Sequence, residues 1–350
     1  MQRNRKSGKS IYDQVKRRIE TPKEQRSEYS GNTEVMISTG STLLDLAISG
    51  GRIRGGGIPG GIVVEIFGPS GTGKTVLLCE IAGDIQRKGG EVLFHDPEAR
   101  LNKQFAEIFG LQTEEMQYMH PNTVTEVFTS IRNWDPGGGK INGVITDSLA
   151  ALSTDLEMDD EEGDKMGMRR AKEFSEGFRR AARMINESNL LMVCSNQVRE
   201  NVEAGPYGQR SIAPGGKAIG FYSSLRLRAI GAKKLKRKVQ IRGKDYTQIH
   251  GVETELEVFK SSIWKPHRTA FVTIDYEIGI DDVRDNLRFV KRFTGNSTFG
   301  FKDYKLSNGL EAAISQVEAQ QLQDELREEV IDIWEDIEDK FKTERKPKKR

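Results

Sequence analysis

The sequence predicts an α/β protein, with a central, mostly parallel sheet, an antiparallel extension, an N-terminal helical arm and a small C-terminal helical region. Two observations predict it. Short, almost continuously apolar runs at residues 62–67, 92–96, 143–147 and 190–196 alternate with amphipathic stretches such as 75–87 and 124–134. Strands that are apolar throughout need cover on both faces, which a parallel sheet between helix layers provides. After Phe221 strand follows strand, at 223–230, 253–260 and 269–276, which is the rhythm of an antiparallel extension.

The first 26 residues carry nine Lys/Arg against three Asp/Glu, and Ile11, Val15 and Ile19 recur at the spacing of a short amphipathic helix. Residues 1–33 therefore read as a basic arm, with a polar linker at 21–32. The core spans 34–280, and 281–350 forms the C-terminal region. There, Ile314, Val317, Leu322, Leu326, Val330, Trp334, Ile337 and Phe341 predict a long helix. Eleven acids fall between Glu311 and Asp339, ahead of a basic tail at 342–350. The acidic helix either folds back on its own basic tail or recruits a partner.

With 54 Lys+Arg against 52 Asp+Glu, the net charge of the 350 residues is only +2. That total conceals segregation, because residues 232–244 hold seven basic side chains and no acid. The segment reads as a solvated hairpin tip or as a secondary path for duplex DNA. No apolar run approaches membrane-spanning length, and the basic N-terminus lacks the apolar stretch of a secretory signal. The expectation is a soluble protein without membrane partners. Cys79 and Cys194 sit in apolar segments and read as buried free thiols. His95, His120, His250 and His267 lack metal-ligand spacing; His95, beside Asp96, stands nearest the expected chemistry.

Gly68-Pro69-Ser70-Gly71-Thr72-Gly73-Lys74-Thr75 follows an apolar strand and opens a helix. This is the context a phosphate-binding loop requires. Its glycines let backbone N–H groups turn inward around a phosphate; Lys74 supplies a point charge and Thr75 a hydroxyl for Mg²⁺. Asp147 ends an apolar strand, where it would hold Mg²⁺ beside Thr75 or cap a helix. Hydrolysis also needs a group to activate water. Asp96 and Glu98 both follow the strand at 92–94, and periodicity does not choose between them.

Five blocks together resemble the RecA-type recombinases: residues 37–45, 64–75, 94–98, 144–152 and 195–199. The resemblance covers about residues 34–280 and implies a RecA-like P-loop ATPase core that uses ATP and Mg²⁺. It implies that Glu98 activates the hydrolytic water, with Lys74 and Gln197 as its catalytic companions. Gln197 would sense the γ-phosphate and pass its state to the adjoining DNA loop. Asn102 and Phe105 would lie at the adenine, the latter where the family has a tyrosine. Lys260 would reach the neighbouring subunit's ATP. The family's second lysine is replaced at Ser262, with Lys265 as a substitute nearby.

The resemblance also implies two DNA-binding loops. The first, near 157–170, carries Met166, Gly167, Arg169 and Arg170 just before a helix; the second, 199–217, carries Arg199, Tyr207, Arg210, Gly215, Gly216 and Lys217. The second is too long for a plain connection between strands. The implied protein is an ATP-dependent recombinase, with DNA-stimulated hydrolysis, that forms filaments on single-stranded DNA and pairs it with homologous duplex. It would assemble as a homo-oligomer, helical or ring-shaped, with a loading or single-strand-binding partner. It would work in the cytoplasm of a bacterial or phage-infected cell, at the nucleoid. The alternative is a ring ATPase of the same core, helicase-like or regulatory, without strand exchange. A mediator with negligible hydrolysis is disfavoured by Glu98.

Overall fold

Apolar runs far apart in the chain pair side by side in a nine-stranded sheet. Its spatial order is Gly279–Ile280, Thr269–Asp275, Lys244–Ser261, Leu225–Ile241, Ile62–Gly68, Leu190–Gln197, Asn142–Thr146, Val92–His95 and Met116–Met119. The computed structural model describes residues 35–137, 139, 141–158, 166–200, 211–212 and 216–345, all within one compact unit. The arm expected at 1–33 lies outside the described residues.

From Leu225–Ile241 to Met116–Met119 the strands run parallel; the other three add antiparallel. Successive residues serve opposite faces, as the pleat dictates. Val64, Ile66, Ile145 and Val193 pack with Leu77, Leu78, Ile81 and Ile85 of the helix Lys74–Arg87. Val63, Val144, Met192 and Cys194 pack on the other side with Phe128, Phe174 and Phe178. Those phenylalanines come from the helices Val124–Asn133 and Met166–Glu187. Both cysteines are buried and free, and burial pushes their thiols up.

Two expectations change. The C-terminal long helix is two helices, Leu310–Ala319 and Gln323–Lys340, separated by a reversal in which Gln321 has φ 56°. The break brings both apolar stripes onto one core with Leu287, Val290, Phe299 and Phe301, which a straight helix would not reach. The acidic face of Gln323–Lys340 meets the chain's own arginines. Arg54 donates to Glu328 (2.7 Å), Asp332 (2.8 Å) and Glu335 (2.6 Å), and Arg268 to Glu338 (2.6 Å).

The strands expected at 223–230 and 253–260 run on as Leu225–Ile241 and Lys244–Ser261. They join through Arg242 (φ 49°) and Gly243 (φ 76°), two positive φ angles in a two-residue loop of the I′ kind. The dense lysines had hidden the strand pattern of residues 231–250. The edge strand Met116–Met119 was not expected either; half its residues are exposed.

Candidate nucleotide-binding site

The phosphate loop leaves the central strand Ile62–Gly68 and turns into Lys74–Arg87. Gly73 caps this helix with φ 80°, and a Cβ there would meet Ile274 Cδ1 at 2.1 Å. The left-handed backbone there favours glycine, and any Cβ would also displace the Ile274 side chain. The 14-residue helix directs its positive end and open N–H groups at the loop. Lys74 Nζ donates to the carbonyls of Gly68 (3.1 Å) and Pro69 (2.7 Å), while Thr72 Oγ1 donates to Pro69 O (2.9 Å). Burial lowers the Lys74 pKa, against the opposing pull of Asp147.

A cavity of about 460 Å³ opens over the loop, and Ser70, Gly71, Gly73, Lys74 and Thr75 line it with Glu98, Asp147, Ser195 and Gln197. Thr75 Oγ1 donates to Asp147 Oδ2 at 2.6 Å, and Ser195 Oγ donates to the other oxygen of that carboxylate. Ser148 Oγ also borders the cavity, buried without a hydrogen-bond partner among the described residues. A hydroxyl and a carboxylate side by side suit Mg²⁺, which takes few protein oxygens and keeps water and phosphate as its other ligands. Among the described residues no cluster of three His, Cys, Asp or Glu offers a separate metal site.

The two carboxylates that periodicity left equivalent differ here. Asp96 is buried and accepts from Leu101 N and Tyr118 OH, both at 2.7 Å. Glu98 retains 22% side-chain exposure and pairs with the exposed Arg100 at 2.5 Å. Both carboxylates line the cavity, but Asp96 is engaged in holding its turn, whereas Glu98 pairs outward with Arg100. His95 is fully buried between Ser130 Oγ (2.8 Å) and Thr146 Oγ1 (3.3 Å), and burial lowers its pKa to about 4. Its place is structural.

At the far end of the cavity, Asn102 caps the helix Lys103–Ile108 by accepting from Phe105 N at 3.0 Å. Phe105, 37% exposed, presents its ring to the cavity and rests edge-on against Phe109. Tyr276, 43% exposed, lines the same space. Sequence reasoning missed Tyr276, Ser195 and Ser148 as members of the site. Tyr276 lies in the turn that follows the antiparallel strand Thr269–Asp275, and no spacing in the sequence marks it. Lys260 lies outside the cavity. Its Nζ donates to the carbonyls of Gly220 (2.8 Å), Phe221 (3.2 Å) and Ser223 (2.8 Å), closing the C-terminal end of the helix Gly216–Tyr222. Lys265, the expected substitute, pairs with Glu338 at 3.6 Å.

Gln197 ends its strand directly opposite Gly68, so the second loop starts beside the phosphate loop. The ladder Arg199↔Ile212, Glu200↔Ser211 closes that loop at its base. Tyr207, Arg210 and Gly215 lie outside the described residues. Gly216 and Lys217 open a helix instead of ending an extended loop, and Met166, Gly167, Arg169 and Arg170 occupy the start of Met166–Glu187 instead of preceding it. Arg170 donates to Glu157 at 3.0 Å and 3.2 Å.

The family model described as RecA N-terminal domain matches residues 25–281. Protein RecA of Ruminococcus albus is 33% identical over 279 residues, covering 78% of this chain and 66% of that protein. Protein RecA of Thermus thermophilus is 31% identical over 302 residues, 85% of each chain. Protein RecA of Bacillus velezensis is 32% identical over 290 residues, covering 80% and 79%.

Proposed function

This chain belongs to the RecA family, and from that premise we propose that it is an ATP-dependent DNA recombinase. In this reading ATP-bound copies polymerise on single-stranded DNA in the cytoplasm and pair it with homologous duplex. The observation that carries the coupling is the register Gly68↔Gln197. One pair of residues joins the phosphate loop to the start of the segment 199–217, so a change at the terminal phosphate reaches that segment without an intermediary.

The chemistry follows from the cavity. Lys74 Nζ exchanges the carbonyls of Gly68 and Pro69 for phosphate oxygens, and backbone N–H groups at the start of Lys74–Arg87 take others. Mg²⁺ held by Thr75 and Asp147 would offset phosphate charge. Phe105 and Tyr276 offer aromatic faces to the base, and Asn102 stays in reach of its edge while capping its helix. Glu98 accepts a proton from the water that attacks the γ-phosphorus, giving ADP and inorganic phosphate. Gln197 registers the loss of that phosphate, and the polymer loosens.

Binding of single-stranded DNA is assigned to 199–217 and to the start of Met166–Glu187. Reversing charge at Arg199 and Lys217 should weaken oligo(dT) binding and flatten its salt dependence by roughly 0.7 log unit for each phosphate no longer neutralised. An unchanged slope would remove the second loop from the DNA site.

A further inference from the structure

Glu65 does not line the nucleotide cavity, yet it is a fully buried carboxylate on the strand that feeds the phosphate loop, Ile62–Gly68. It shares its face of the sheet with Val63, which packs among apolar side chains. In register, Glu65 pairs with Arg226, and Arg226 pairs with Lys260. Residues paired across strands share a face, so the three side chains form a row over adjacent strands.

Arg226 Nε donates to one Glu65 oxygen at 2.5 Å, and Asn196 Nδ2 donates to the other at 3.0 Å. The two donors stand at opposite ends of the segment 199–217. Asn196 precedes Gln197, after which the chain leaves the sheet. Arg226 follows the helix Gly216–Tyr222, through which the chain returns. Its guanidinium also rests against that helix, because a Cβ on Gly220 would lie 3.1 Å from Arg226 Nη1. The ring of Phe67 lies under it, 4.5 Å away. Lys260, its cross-strand neighbour, holds the last carbonyls of the same helix.

A buried ion pair returns little more than its desolvation costs, and apolar side chains of similar volume commonly serve stability as well. An apolar filling cannot supply direction. Here two oxygens of one carboxylate are each fixed by a donor from a different end of one segment. We infer that Glu65 is a positioning residue that fastens the exit and the return of 199–217 to one point, and so sets how strongly nucleotide state is felt as DNA affinity. With it, a shift at Gln197 carries the returning helix along; without it, only the exit moves. This rests on reading the segment as the single-strand site of a recombinase.

Glu65→Gln keeps the volume and one acceptor but turns an NH2 group toward one of the two donors, so one tie breaks. In the full chain, affinity for oligo(dT) is measured with a non-hydrolysable ATP analogue and with ADP, and the ratio reports the coupling. In the variant the ratio should fall by roughly fivefold or more, while a fluorescent ADP analogue binds as in the unaltered protein. By reciprocity, the factor by which oligo(dT) tightens the ATP analogue should fall equally. A carboxylate that served stability alone would lower the melting temperature and leave both factors unchanged, and that result overturns the inference. So does a loss of DNA affinity that is equal in the two nucleotide states. If Glu65→Gln fails to fold, Glu65→Gln combined with Arg226→Gln decides, because it strands no charge. An unchanged ratio there, or a second failure to fold, assigns the pair to the core and overturns its positioning role. Should the unaltered protein bind oligo(dT) equally in both states, the recombinase reading loses its coupling; should ATP tighten its binding while the variant matches it, only the role of Glu65 fails.

Discussion

Glu98→Gln lowers the steady-state rate of ATP hydrolysis by about 10²–10⁴-fold while leaving ATP affinity within a few fold. The amide keeps the size and hydrogen-bonding reach of the side chain but loses the basic oxygen that takes the proton from water. Because Glu98 lies at the cavity with its one described ion pair on the exposed Arg100, the substitution strands no buried partner, and folding is unaffected. ATP-dependent assemblies on DNA should then persist where those of the unaltered protein dissolve. Asp96→Asn is the contrasting variant. Asp96 accepts from Leu101 N and Tyr118 OH, so its amide gives up charge-assisted bonds and lowers thermal stability, with a smaller effect on the rate. Paired measurements of rate and melting temperature check this. If Glu98→Gln hydrolyses ATP normally, the proton acceptor is a different group.

Lys74→Ala removes both binding and hydrolysis. Its ammonium donates to the carbonyls of Gly68 and Pro69, which places the charge inside the loop where phosphate oxygens would meet it. Burial lowers the Lys74 pKa, so the charge is costly until phosphate arrives and is then strongly used. Removing one such charge from the transferring phosphate costs on the order of 10²–10³ in rate, and ATP affinity falls with it because the ground-state phosphates use the same charge. Titration with a fluorescent ATP analogue, followed by single-turnover hydrolysis, separates the two effects. Near-normal affinity in Lys74→Ala would remove this lysine from the phosphate site.

The parallel half of the sheet was legible because its strands are apolar on both faces, and the phosphate loop because glycine spacing, strand and helix agree there. The strand that ends before Asp147 was legible as an apolar run, and across the sheet Asp147 accepts from Thr75 Oγ1. Less visible was anything set by packing across the sheet. Tyr276 reaches the cavity through the register of two antiparallel strands, and Ser195 through its parallel neighbour strand. The hydrogen bonds that set Asp96 apart from Glu98 come from Leu101 N and Tyr118 OH, one from the following turn and one from an edge strand. The C-terminal helix pair shows the same limit. Its apolar repeat is nearly continuous, and only the shared core with Leu287 and Phe301 dictates the reversal at Gln321. In the long hairpin of residues 225–261, charge density masked extended structure, although Arg242-Gly243 carried the turn signal.

The central proposal is that ATP binding in this cavity drives homologous pairing on DNA. A D-loop assay with single-stranded DNA, homologous supercoiled duplex and ATP tests it most directly. Joint molecules should form with ATP, be absent without it and with Lys74→Ala, and disappear when the duplex lacks homology. ATP hydrolysis stimulated by DNA, with no joint molecules under any of these conditions, would contradict the proposal and leave a motor or regulatory ATPase on the same fold.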